Sequence, residues 1–128
     1  MRIVADASAL AAVTFQEPGF EAVAARLEGA TVCAPDLLKF ELANVAVTKA
    51  RRAPEQAIHI FAALHETLDR RSGIQWHCVN VTDVAVLARL TDLTAYDAAY
   101  LWLAGWLEAD LITLDKRLIA ATGPDNNE

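Results

Sequence analysis

The sequence predicts an α/β domain, a three-layer α/β/α fold around a short central parallel sheet of four strands, or five. Three observations carry this expectation. Short apolar segments recur along the 128 residues, and longer segments between them repeat apolar side chains at helical spacing. The alternation of the two kinds of segment argues for parallel strands with helices on both faces. Hydrophobic residues make up 55% of the chain and charged ones 22%, with few Gly and Pro, which is the composition of a globular protein.

Ile3-Val4-Ala5 is the first strand, and Ser8 is placed to cap a helix over residues 9–15. Pro18-Gly19 ends that helix, after which Phe20, Val23, Ala24 and Leu27 recur at helical spacing as far as Gly29. Residues 31–34 form the second strand. Asp36 then caps a long helix reaching Arg52, whose last turn carries Lys49, Arg51 and Arg52, cations that suit the negative end of the helix dipole. Pro54-Glu55 opens another helix, with Ile58, Phe61, Ala62, Leu64, His65 and Leu68 facing inward until the Arg70 to Gly73 stretch. These two helices are expected to pair as an antiparallel hairpin. Residues 74–81 read as the third strand, Thr82 caps a helix over residues 83–90, and residues 95–107 form a helix rich in aromatics. The fourth strand spans residues 109–114, and residues 116–121 make a last helical turn.

The length suits one domain, residues 1–122, followed by a polar tail at residues 123–128. The longest uncharged apolar run, residues 98–107, is about half of the roughly 20 residues that a membrane span requires. The N-terminus lacks the pattern of a secretory signal, so a cytoplasmic protein with no membrane partner is expected. Cys33 and Cys78 each fall inside a strand segment without metal-ligand spacing and read as reduced core thiols. His59, His65 and His77 are scattered and do not form a zinc site.

Four carboxylates stand in apolar surroundings: Asp6 after the first strand, Glu41 in the long helix, Asp97 near Tyr96, and Asp115 after the fourth strand. Open parallel sheets bind ligands beyond the carboxyl ends of their strands, where Asp6 and Asp115 lie. Glu41 shares a helical face with Leu37, Leu38, Asn44 and Val45, and Asp97 shares one with Leu93, Thr94, Tyr100 and Leu101. Asp97 reads as a mid-helix acid with no cap to make. An unpaired buried carboxylate normally neutralises, pairs or binds a metal. If the four converge with neighbours about 5 Å apart, each like-charge pair costs about 3 kcal/mol at an effective dielectric of about 20. A hard divalent cation removes that cost, and carboxylates suit magnesium or manganese better than zinc. Phosphodiester hydrolysis is the reaction class this chemistry serves. The net charge of −6 does not exclude a nucleic acid, since bound cations would reverse the local field.

Asp6-Ala7-Ser8, Glu41 within Phe40-Glu41-Leu42-Ala43-Asn44, Tyr96-Asp97-Ala98-Ala99-Tyr100 and Thr113-Leu114-Asp115-Lys116-Arg117 occur in this order along the chain. The series resembles the signature of PIN-domain ribonucleases, from about Arg2 to Leu118, and the size and layout resemble the VapC-type toxins of toxin–antitoxin pairs. The resemblance implies a PIN-like fold and a magnesium- or manganese-dependent endoribonuclease silenced by a cognate antitoxin. It implies Asp6, Glu41, Asp97 and Asp115 as catalytic, metal-binding acids, with Ser8 and Thr113 orienting a ligand or a water. The antitoxin segment is expected near the helices of residues 36–71, and a homodimer is implied. The family often continues into a fifth strand after the last acid, whereas this chain runs into Gly123-Pro124.

Lys116 and Arg117 follow Asp115 and are the cations placed to contact an RNA backbone. Trp102 and Trp106 lie four apart on one helical face, as core residues or, if partly exposed, as part of a dimer interface. Two other readings compete. One is a catalytically silent PIN-like module that binds RNA or protein. The other is a phosphatase- or receiver-like protein phosphorylated on Asp6, which lacks the second acid those sites need.

Overall fold

The computed structural model describes residues 1–122; the polar tail at 123–128 lies outside the described residues. β1 (Arg2–Ala5) runs through the middle of a parallel sheet, between β2 (Thr31–Pro35) and β4 (Asp110–Ile112), and β3 (Gln75–His77) extends the sheet beyond β2. Val4 stands opposite Cys33 on one side and Leu111 on the other. The α/β class and the four-stranded parallel sheet agree with the sequence. Among the described residues there is no fifth strand.

Side chains of β1 alternate between two cores because successive residues point to opposite faces of the sheet. Ile3 packs with Ala9 of α1 (Ala7–Thr14), Val23 of α2 (Phe20–Leu27) and Ile112. Val4 packs on the other face with Leu38 and Leu42 of α3 (Leu37–Arg52) and with Tyr100 and Leu103 of α6 (Ala95–Leu107). Both faces of the sheet are covered, and Ile3, Val4 and Ala5 of the central strand are consecutive buried apolar residues. Gly19, at φ 92°, supplies the left-handed turn that starts α2 after Pro18. A 3-10 turn at Pro54–Gln56 joins α3 to α4 (Ala57–Leu68), and the two helices pack as the expected hairpin. α5 (Val81–Thr91) packs against α6, and α7 (Lys116–Thr122) anchors itself through the fully buried Leu118.

Several boundaries differ from the sequence reading. β3 ends at His77, and the Asn80 side chain accepts from the Asp83 amide, so Asn80 rather than Thr82 caps α5. Cys78 is therefore exposed outside the strand, whereas Cys33 is buried in β2 as expected. β4 is limited to Asp110–Ile112. Asp36 precedes α3 in a helical conformation and makes no side-chain cap. On α4, Ile58, Phe61, Ala62 and His65 are exposed, and only Leu64 and Leu68 pack against the core. No helix among the described residues is long and apolar enough to cross a membrane.

Candidate active site

The site starts at the carboxyl end of the central strand. Asp6 is 4% exposed and begins α1, its Oδ1 accepting from the Ala9 amide at 2.9 Å. The helix cap assigned to Ser8 thus belongs to Asp6. Ser8 instead donates its Oγ hydrogen to Asp6 Oδ1 at 2.7 Å and accepts from the Leu114 amide at 2.9 Å. Thr113, also buried, donates to Asp6 Oδ2 at 2.5 Å and accepts from the Asp115 amide at 3.0 Å. Both hydroxyls therefore link Asp6 to the loop after β4. The carboxylate uses three of its roughly four lone-pair positions on these donors and is fixed in orientation.

Asp115 is half-buried, and its Oδ1 accepts from the Arg117 amide at 2.8 Å, which starts α7. Glu41 lies half-buried on α3, with Oε1 accepting a short hydrogen bond from the Tyr100 hydroxyl. Asp97 is in the first turn of α6, not in mid-helix, and its amide bonds the capping Thr94 hydroxyl at 3.1 Å. An acid there also meets the positive end of the helix dipole. Lys116 and Arg117 are exposed at the opposite side of Asp115 in sequence from Thr113, and neither makes an ion pair among the described residues.

The acids lie within one another's fields. Burial raises the Asp6 pKa above its ordinary 3.8, against the lowering effect of its three hydrogen bonds, and the negative charge of Asp115 raises it further. Burial likewise raises Glu41 above 4.5; the Tyr100 hydrogen bond opposes this, and the charges of Asp97 and Asp6 add to it. Tyr100 is pushed far up by burial and by Glu41, so it remains a donor at any working pH. Its role escaped the sequence reading. The spacing of Tyr100 three residues after Asp97 was visible, but its partner lies 59 positions away.

The folded state holds protons on Asp6 and Glu41 more tightly than the unfolded chain does, so stability from these groups falls as pH rises from 3.8 and 4.5 through the raised folded values. Urea midpoints of metal-free protein should show this decline, and Asp6→Asn with Glu41→Gln should flatten it. An unchanged slope in that double variant would refute the assignment.

Tyr100→Phe keeps the buried ring and removes only the donor. It should cost about 1–3 kcal/mol of stability and raise the Glu41 pKa further, as a carboxyl carbon NMR titration would record. A Glu41 titration identical to wild type would exclude the hydrogen bond from solution.

Residues 3–123 match the PIN domain family. The chain belongs to the PIN-domain family. Its fold is also that of two solved structures. PAE2754 from Pyrobaculum aerophilum aligns with a TM-score of 0.76 and 24% identity, over 94% of this chain and 79% of that one. VapC20 of Mycobacterium tuberculosis, a toxin that cleaves the sarcin–ricin loop, aligns with a TM-score of 0.64 and 16% identity, over 94% of this chain and 95% of the toxin. No curated protein matches the sequence.

In this PIN domain the four carboxylates fit a hard divalent cation in kind: they offer oxygen donors, and Asp6 and Glu41 have pKa values raised by burial and by like charge. The side chains are not closed into a cage. Among the described residues no three His, Cys, Asp or Glu side chains stand in an arrangement ready to hold a metal ion. One or two of the carboxylates with several waters would suit magnesium, which usually keeps part of its water shell.

Proposed function

We propose that this PIN domain is a metal-dependent endoribonuclease that hydrolyses RNA phosphodiester bonds as the toxin of a type II toxin–antitoxin pair. The observation that carries the reading is Asp6, fixed at the end of the central strand by two hydroxyls and an amide, in the field of other acids. Asp6, Glu41, Asp97 and Asp115 would hold magnesium or manganese. When bound, the cation supplies positive charge to a phosphoryl oxygen and lowers the pKa of a water.

The protein's own contribution is orientation of the acids. Ser8 and Thr113 keep both oxygens of Asp6 in place and tie them to the Asp115 loop. Tyr100 donates to Glu41 Oε1 and steadies that carboxyl, which leaves Oε2 as the oxygen that would bind the cation. Lys116 and Arg117 are the cations for the RNA backbone. RNA as substrate and a cognate antitoxin as partner are supported by the fold shared with VapC20. The antitoxin segment would lie against α3 and α4, where Ile58 and Phe61 are exposed. The stacked Trp102 and Trp106 rings, 5.4 Å apart with Trp106 exposed, would contribute to a homodimer acting in the cytoplasm.

The test is cleavage of a structured RNA pool by antitoxin-free protein, with and without magnesium or manganese. Cutting should require the metal, and Asp97→Asn should reduce it by at least about 10²-fold, the effect of losing about 3 kcal/mol of transition-state stabilisation. RNA binding without metal-dependent cutting would replace this reading with the silent binding module.

A further inference from the structure

Beside Glu41 a depression of about 400 Å³ is lined by Leu37, Phe40, Glu41, Asn44 and Tyr96. Two aromatic rings from different elements flank it, Phe40 from α3 at 79% exposed and Tyr96 from the first turn of α6 at 67%. Each ring directly precedes one of the acids in sequence, Phe40 before Glu41 and Tyr96 before Asp97.

We infer that this depression is a base-binding subsite, in which an unpaired nucleobase next to the scissile phosphate stacks on Phe40 and Tyr96 and is read at its edge by Asn44. The inference rests on the ribonuclease reading and adds to it the residues that select the base. Three features favour a base over a second protein surface. The rings are exposed where stacking needs a face, and stacking on aromatic side chains is the common means of gripping unpaired RNA bases. The Asn44 amide is exposed and has no hydrogen-bond partner among the described residues, so its donor and acceptor are both available. The wall also contains a carboxyl group, and the core of a protein–protein interface is depleted in charge. Asn presents a donor and an acceptor side by side, which matches the N6 and N7 edge of adenine.

The test uses RNA oligonucleotides carrying 2-aminopurine, which reports stacking but lacks adenine's N6 amino group, at successive positions around the cleavage site. They are bound to the cleavage-deficient Asp6→Asn protein with magnesium, and the same positions are then followed for cleavage by protein with Asp6 intact. At one position, binding should quench the fluorophore, and Phe40→Leu with Tyr96→Leu should abolish the quench. On cleavable RNA that pair of substitutions should raise KM by about 10-fold, within the roughly 5- to 150-fold range of a lost base–aromatic stack, and leave kcat nearly unchanged. Asn44→Ala should reduce the base preference at the same position. Cleavage that persists with an unchanged KM and quench in the ring-less variant would overturn the subsite while the ribonuclease reading stands. A change from dimer to monomer in that variant, at unchanged KM, would overturn it in favour of a second copy of the chain covering the depression. No cleavage by the protein with Asp6 intact would instead remove the ribonuclease reading on which it rests.

Discussion

Asp6→Asn should lower metal-dependent RNA cleavage by at least about 10³-fold while the metal-free protein folds as stably as before, or more so. Losing a ligand carboxylate removes several kcal/mol of charge stabilisation in the transition state, and about 4 kcal/mol corresponds to three decades in rate. The fold should survive because Asn is as good a helix cap as Asp, so the Ala9 amide keeps its acceptor. The substitution also removes a charge whose ionisation is disfavoured by burial. Its one local cost is at Thr113, whose hydroxyl must turn away from a carboxylate oxygen replaced by an NH₂ group. Asp6→Ala is the informative contrast: it loses the cap as well, at about 1 kcal/mol, and should be both inactive and less stable. Single-turnover cleavage and urea midpoints of the two variants separate chemistry from folding. Full cleavage by Asp6→Asn would end the argument for this acid.

The largest stability effect should come one residue from the site. Leu42 is fully buried between Glu41 and Ala43 in sequence and packs in the core that contains Val4, Leu38 and Tyr100. Leu42→Ala should cost about 2–5 kcal/mol, the lost transfer energy plus the cavity left behind. A domain of this size has only about 5–15 kcal/mol to lose, so the melting midpoint should fall by about 10 °C or more. Phe40→Ala, two positions earlier on the same helix, should change stability by no more than about 0.5 kcal/mol, because that ring already faces solvent. The three consecutive positions 40 to 42 thus divide into surface, site and core. Equal destabilisation by the two alanine substitutions would contradict the orientation of α3.

The class of fold was readable because alternating segment types leave few arrangements that bury both faces of a sheet. The same topology puts Asp6 and Asp115 just beyond the ends of strands, while Glu41 and Asp97 needed the helical periodicity around them. Boundaries were harder. Val79 and Val81 look like strand residues, yet the Asn80 side chain between them bonds the Asp83 amide and starts a helix. α4 is apolar on nearly all sides, so periodicity could not tell that Leu64 and Leu68 face the core while Ile58 and Phe61 face out. By its type and position Ser8 is the expected cap, whereas Asp6 makes the cap and Ser8 holds Asp6. Such exchanges depend on a few ångströms of backbone that local sequence does not encode. The Tyr100 to Glu41 bond depends on two helices meeting.

The side-chain hydrogen bonds that fix Asp6 come from Ser8, two positions after it, and from Thr113, 107 positions after it. A ribosome making this protein therefore releases Asp6 long before it makes the residue that holds it. Folding of the first strand and helix can begin early, but β4 must add to the edge of β1 before Thr113 and Asp115 reach their places. At about 5–20 residues per second, the incomplete chain exists for several seconds with its carboxylates separated. A nascent chain carries the acids without the site, and premature termination anywhere before Thr113 yields a product that cannot assemble it.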